Sequence, residues 1–154
     1  MSESDESGWD CHVHVFDASL ASHRGHYRPV DRPLAQIEAV AQAHGVGRLV
    51  LVQPSVYGTD NSLMLRALAL EPGSHRGVVV VDDAITDAEL DTMHAHGVRG
   101  VRFNFVKRLV DFTPKDELLE IAARIAPLLR ISPSCAGRRT SSRTRLLTRA
   151  VCTG

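Results

Sequence analysis

The chain has 154 residues, enough for one domain with a buried core and too few for two large ones. At 44% hydrophobic content it reads as globular, and no stretch approaches the roughly 18 apolar residues of a membrane span. Its acidic opening, MSESDESG, is the opposite of a secretory leader, and three irregularly placed cysteines (Cys11, Cys135, Cys152) form neither a disulfide framework nor a zinc-finger spacing, so the expected compartment is the reducing cytoplasm.

The formal net charge of zero conceals a split. All 18 acidic residues lie in 1–120 beside 11 Lys/Arg, a net −7, while 121–154 carry seven Arg and no acid, a net +7. A basic end of this kind can bind nucleic acid. Here it has no aromatic residue to stack on bases and no recognisable module, so no nucleic-acid partner is expected.

Residues 1–8 read as a disordered acidic terminus, and 9–16 as a first strand, followed by a loop over 18–33 rich in Arg, His and Pro. Leu34, Ile37, Val40 and Ala41 recur at helical spacing in 33–44, and Gly45 closes that helix. The unbroken apolar run 48–53 predicts a strand covered on both faces. A turn over 54–61 with Gly58 precedes a helix at 62–69, and 77–82 is a second apolar strand. Thr86 with Glu89 three positions later is a capping box, opening a helix that ends at His96-Gly97. A fourth strand is expected at 98–106 and a further helix, capped by Thr113, at 114–129. The alternation βαβαβαβα with apolar strands specifies a parallel sheet with helical crossovers, spanning 9–130.

Parallel sheets place their sites at the carboxyl ends of the strands, where the polar residues of this chain gather. Strand alternation puts His12 and His14 together on one face of what reads as a buried strand, costly unless they bind something or are hydrogen-bonded. Ser55, Tyr57 and Thr59 offer hydroxyls after the second strand, and Asp82 and Asp83 follow the third. Arg102 shares a face with Asn104 on the fourth strand, and Arg108 follows; two arginines at such a mouth suit bidentate binding of carboxylates, or else ordinary pairing with a neighbouring Asp and solvation. The second His-x-His, His94 and His96, together with His44, needs no ligand, because a histidine in a last helical turn complements the helix dipole.

The strings Asp10 to Phe16, Tyr27 to Asp31, Gln53 to Ser62 and Gly100 to Asp111 resemble the amidohydrolase-related 2-pyrone-4,6-dicarboxylate lactonases over roughly residues 9–129. The resemblance implies a (β/α)8 barrel and hydrolysis of a cyclic ester that bears two carboxylates. It places His12 and His14 beside the lactone carbonyl as catalytic residues, and Tyr27, Ser55, Thr59, Arg102 and Arg108 on the substrate. It implies no metal and no other cofactor; in the wider family a strand-one His-x-His holds a divalent metal, and His12 and His14 would be ligands if one is bound. Two histidines are fewer than the three protein ligands typical of catalytic zinc.

The chain departs from the family pattern after residue 130. A (β/α)8 barrel takes about 250 residues, and only four β/α units precede this point, so the expected architecture is an incomplete barrel. No His follows His96 and no Asp or Glu follows Glu120, whereas the family places a further histidine on a middle strand and a general-base aspartate near the end of the last. Residues 131–154 hold five arginines, four serines and four threonines and read as a disordered or frameshifted tail of a truncated gene product. The expected function is that of a pyrone-dicarboxylate hydrolase of aromatic catabolism, inactive in this form; the alternatives are a metal-dependent amidohydrolase or decarboxylase and a non-catalytic dicarboxylate-binding fragment. An open edge at strand four and uncovered interior residues would favour self-association.

Overall fold

Valine- and leucine-rich runs, interrupted by short helices, pair into a single parallel sheet in this computed structural model, which describes residues 8–20, 28–104, 115–126 and 151–153. In chain order the elements are β1 (Gly8–Val13), α1 (Leu34–Ala43), β2 (Val46–Val52), a 3-10 turn (Ser55–Tyr57), α2 (Ser62–Leu70), β3 (Arg76–Val79), α3 (Asp87–Ala95), β4 (Val98–Asn104), α4 (Lys115–Ile125) and β5 (Val151–Thr153). The sheet order equals the chain order, and every pairing is parallel. All strands therefore end at the same edge, which is what gathers their following residues.

Period-two alternation divides the sheet between two faces. Leu49, Leu51, Val79, Val81, Val101 and Phe103 pack in one core with Leu34 of α1, Met64, Ala67 and Leu68 of α2, Leu90 of α3 and Ile121 and Ile125 of α4. Each such buried side chain contributes about 1.5–3 kcal/mol. Gly77 belongs to this contact, since a Cβ there would lie 2.8 Å from Leu68 Cδ1. On the opposite face Val50, Val52 and Val78 pack against Trp9, and the guanidiniums of Arg48 and Arg76 lie 5.6 and 5.9 Å from the Trp9 ring.

Four β/α units are present as expected, with the capping box of α3 formed in full: Glu89 N–H donates to the Thr86 side chain, and Thr86 N–H donates to Glu89 Oε2 at 2.8 Å. Three expectations need correction. Strand one is neither as long nor as buried as its sequence suggests. Gly8, Asp10, Cys11 and His12 are exposed, because β1 has a neighbour on one side alone among the described residues. It also leaves the ladder after Val13, and Phe16 instead bridges antiparallel to Arg32.

On the interior face of the two central strands β2 and β3, Val50, Val52 and Val78 are 2%, 3% and 5% exposed. And β4 is not an open edge over its last three residues, where Arg102 pairs with Val151, Phe103 with Cys152 and Asn104 with Thr153. Gly8, read as the end of a disordered acidic terminus, instead opens β1; residues 1–7 and the rest of the predicted tail lie outside the described residues, as do the proposed cap at Thr113 and the last turn of the fourth helix.

Candidate active site

His14 stands one residue beyond β1, at the carboxyl edge of the sheet. Its Nδ1 lies 2.7 Å from the carbonyl oxygen of Val52, the last residue of β2. A carbonyl can only accept, so Nδ1 carries the proton and donates it, leaving the Nε2 lone pair uncommitted among the described residues. The His12 ring is 4.9 Å from the His14 ring at 88°, edge to face, with His12 exposed and His14 half-buried. Burial holds the His14 imidazole below the ordinary histidine value. The bond to Val52 opposes this, and the charges of His12 and Arg102 add to the lowering.

Arg102 reaches the same place from β4. Its Nη1 donates to the carbonyl of Gln53 at 3.2 Å. Consecutive carbonyls at the end of β2, of Val52 and Gln53, thus anchor the imidazole and the guanidinium. The Nε of Arg102 is buried and has no hydrogen-bond partner among the described residues. A buried donor left so costs about 1–3 kcal/mol, and a ligand acceptor would relieve it.

The turn after β2 is held by side chains whose role sequence reading did not foresee. Gln53, 1% exposed, donates from Nε2 to the carbonyls of Asp60 (2.7 Å) and Gly58 (3.2 Å). Gly58 has φ 53°, ψ −130°, a conformation that favours glycine. Asn61, also buried, donates to the carbonyls of Thr59 and Val80 and accepts from Val80 N–H, which ties this turn to the residue after β3. A polar residue closing a fully apolar strand, as Gln53 does, was the available signal.

Ser55 opens the 3-10 turn and is half-buried, while Thr59 is exposed. Tyr57 is not a free hydroxyl donor for substrate: its hydroxyl accepts from Asp17 N–H at 3.0 Å and donates to Asp17 carbonyl at 2.8 Å. Asp82 and Asp83 are exposed, with Asp82 Oδ1 accepting from Ala84 N–H in a turn. Tyr27 and Arg108 lie outside the described residues, and of Asn104 only the backbone is described. The structure therefore brings together His12, His14 and Arg102, with Ser55 on the adjoining turn.

Among the described residues, the rings of His75, His94 and His96 are structurally engaged. His96 Nδ1 donates to the Thr92 carbonyl at 2.8 Å, and His94 sits beside Arg99, whose Nη1 donates to the His94 carbonyl at 2.7 Å. His75, which sequence reading passed over, is 3% exposed and forms a cluster with Glu38 and Glu71 whose ligand atoms lie within 4.8 Å of one another. Leu49 N–H donates to His75 Nδ1 at 3.1 Å, so the proton must be on Nε2, where it is donated to Glu38 Oε1 at 2.8 Å. With both nitrogens engaged, this ring has no lone pair for a metal.

The sequence profile of the amidohydrolase family matches residues 9–131. A 2-pyrone-4,6-dicarboxylate hydrolase of Comamonas testosteroni is 51% identical over 123 residues, covering 77% of this chain and 40% of that protein. A 4-sulfomuconolactone hydrolase of Rhizobium radiobacter is 34% identical over 103 residues, covering 65% of this chain and 34% of its own length. Among solved structures, an Acinetobacter baumannii protein described as a probable 2-pyrone-4,6-dicarboxylic acid hydrolase, with citric acid bound, superposes with a TM-score of 0.70 at 29% identity, over 79% of this chain and 46% of that one. The chain thus spans about two-fifths of the curated relatives it matches, and its sheet is part of a (β/α)8 barrel.

Proposed function

Because this chain belongs to the amidohydrolase family, we propose that the carboxyl end of its sheet is the carboxylate-recognising part of a lactone hydrolase acting on a pyrone dicarboxylate. One observation carries the reading: Arg102, anchored to Gln53 by one nitrogen, keeps a buried Nε without a partner among the described residues, beside an anchored His14. A guanidinium with Nη1 committed still offers a second edge, and the two oxygens of a carboxylate match such an edge. The citric acid in the Acinetobacter structure is a ligand of the same chemistry. Tyr27, Ser55, Thr59 and Arg108 complete the proposed carboxylate contacts, in the cytoplasmic setting that the cysteines suggest.

In hydrolysis, water adds to the lactone carbonyl, the ring C–O bond breaks, and the water proton ends on the released ring oxygen. His12 and His14 are the residues read as stabilising the carbonyl oxygen as it gains charge, His14 in its protonated form, because its neutral ring offers only a lone pair at Nε2. No Asp or Glu follows Glu120 to take the proton from water. The reading for residues 1–154 taken by themselves is therefore binding of the dicarboxylate with little turnover. Calorimetry and ultraviolet absorbance with 2-pyrone-4,6-dicarboxylate test it: binding that Arg102→Ala removes is expected, without rapid ring opening. Absence of binding would sink the substrate, and rapid turnover would sink the idea of a missing base. Self-association, expected at strand four, is proposed instead at the outer edge of β1, which has one neighbouring strand among the described residues, and a monodisperse monomer in sedimentation would contradict it.

The His14 tautomer favours a second reading, a metal-dependent amidohydrolase. Histidine ligands typically donate the other ring N–H to a carbonyl or carboxylate, as His14 does to Val52. His12 and His14 would then hold the ion, which when bound would polarise the carbonyl. They are two ligands where three are usual. Stoichiometric zinc or manganese in the purified protein, lost in His12→Ala, would establish this reading over the first.

A further inference from the structure

We propose that Tyr57 is a positioning residue for His14, acting through the Asp17 backbone and the Phe16 ring. The proposal rests on reading His14 as a site residue. The last β1–β2 ladder pair is Val13 with Leu51, so His14 lies beyond the hydrogen bonds that fix the strand. Its next backbone tether is the bridge from Phe16 to Arg32. Something else must keep the imidazole in reach of the Val52 carbonyl.

Tyr57 supplies that hold from the side of the acceptor. It is 3% exposed and lies on the 3-10 turn that leaves β2, five residues after Val52. Its hydroxyl clasps both polar groups of the Asp17 backbone, one as acceptor and one as donor. The Asp17 carboxylate is engaged elsewhere, with Ser19 N–H and hydroxyl, so the clasp is a main-chain one.

Rings continue the connection: Tyr57 to Phe16 at 6.3 Å, Phe16 to His14 at 5.9 Å and His14 to His12 at 4.9 Å, none of them stacked face to face. Offset and edge contacts of this kind each resist tilting of the neighbour. β2 and the turn that leaves it thus carry the carbonyl that accepts from His14 and the hydroxyl that fixes the backbone three residues after it.

Nitrogen-resolved NMR of the 15N-labelled full chain at neutral pH tests this with no substrate present, so that a failed lactone assay and a failed positioning result are separate outcomes. The His14 Nδ1–H signal, assigned by its loss in His14→Gln, should exchange slowly in the wild type. In Tyr57→Phe its exchange should accelerate at least about tenfold, because both hydrogen bonds of the clasp are lost. A smaller acceleration is expected in Phe16→Leu, which keeps the clasp and removes the ring between. A merely structural Tyr57 would lower the melting temperature and leave His14 exchange unchanged, and that result overturns the proposal. Should Tyr57→Phe fail to fold, unchanged exchange in Phe16→Leu overturns it instead.

Discussion

Two histidines at opposite ends of the same sheet show what separates a structural ring from a chemical one. His75, one residue before β3, accepts from Leu49 N–H and donates to Glu38. His14, one residue after β1, donates to Val52 from Nδ1, and its ring lies edge to face with that of His12. Burial alone ranks His75 first, at 3% exposure. Hydrogen-bond saturation ranks them the other way for chemistry, because a ring with both nitrogens engaged can neither ligate nor transfer a proton without breaking the fold.

The largest effect that could break this contrast is on stability. His75→Ala leaves Leu49 N–H and the Glu38 carboxylate without their partner and opens a cavity, with an expected cost of about 3 kcal/mol in denaturant unfolding. His14→Ala, half-buried with one bond, should cost about 1 kcal/mol or less. Equal losses would mean that His14 is a structural ring too.

The same contrast extends to arginines. Arg124 has its Nε and Nη2 on Asp87 and the Ile85 carbonyl, linking α4 to α3, whereas Arg102 has a buried Nε without a partner among the described residues. Arg102→Ala should weaken dicarboxylate binding about a hundredfold, near 2.7 kcal/mol, in calorimetry, and Arg124→Ala should leave it unchanged. A loss shared by both would indicate general unfolding rather than recognition.

A smaller change tests whether the bond or the charge matters at His75. Glu38→Gln keeps an acceptor for the Nε2–H, so about 1 kcal/mol of stability should be lost, less than in His75→Ala. The smallest effect is that of pH on His14, whose imidazole is held below the ordinary value of 6.5 by burial. Above that value folded and unfolded rings are both neutral, and the group contributes nothing. As pH falls through the window below it, the unfolded chain takes the proton first and stability declines. Denaturation at several pH values should show this decline in the wild type and not in His14→Gln; a wild-type gain on acidification would reverse the sign assigned here.

Much of the architecture was legible in the order of residues. The apolar runs at 48–53 and 77–82, the capping pair Thr86 and Glu89 and the glycines at helix ends report local events, and they placed four β/α units correctly. The family was legible for the same reason, since its motifs are contiguous strings. What failed was what depends on neighbours. The buried strand expected at 9–16 is a half-exposed edge that stops at Val13, because burial is decided by how many strands flank it. Tyr57, read as a possible donor to substrate, is bound to Asp17, forty residues away in sequence.

By itself the sequence determined the period of each element, the parallel βα order and the presence of His12, His14 and Arg102 at strand ends, because hydrophobic alternation, caps and strand polarity are short-range properties. Tertiary structure alone decided that Val52 and Gln53 anchor the imidazole and the guanidinium, which nitrogen of His14 keeps its lone pair, and that His75 has none to offer. Those outcomes depend on where a carbonyl from another strand comes to rest, and no local pattern carries that information.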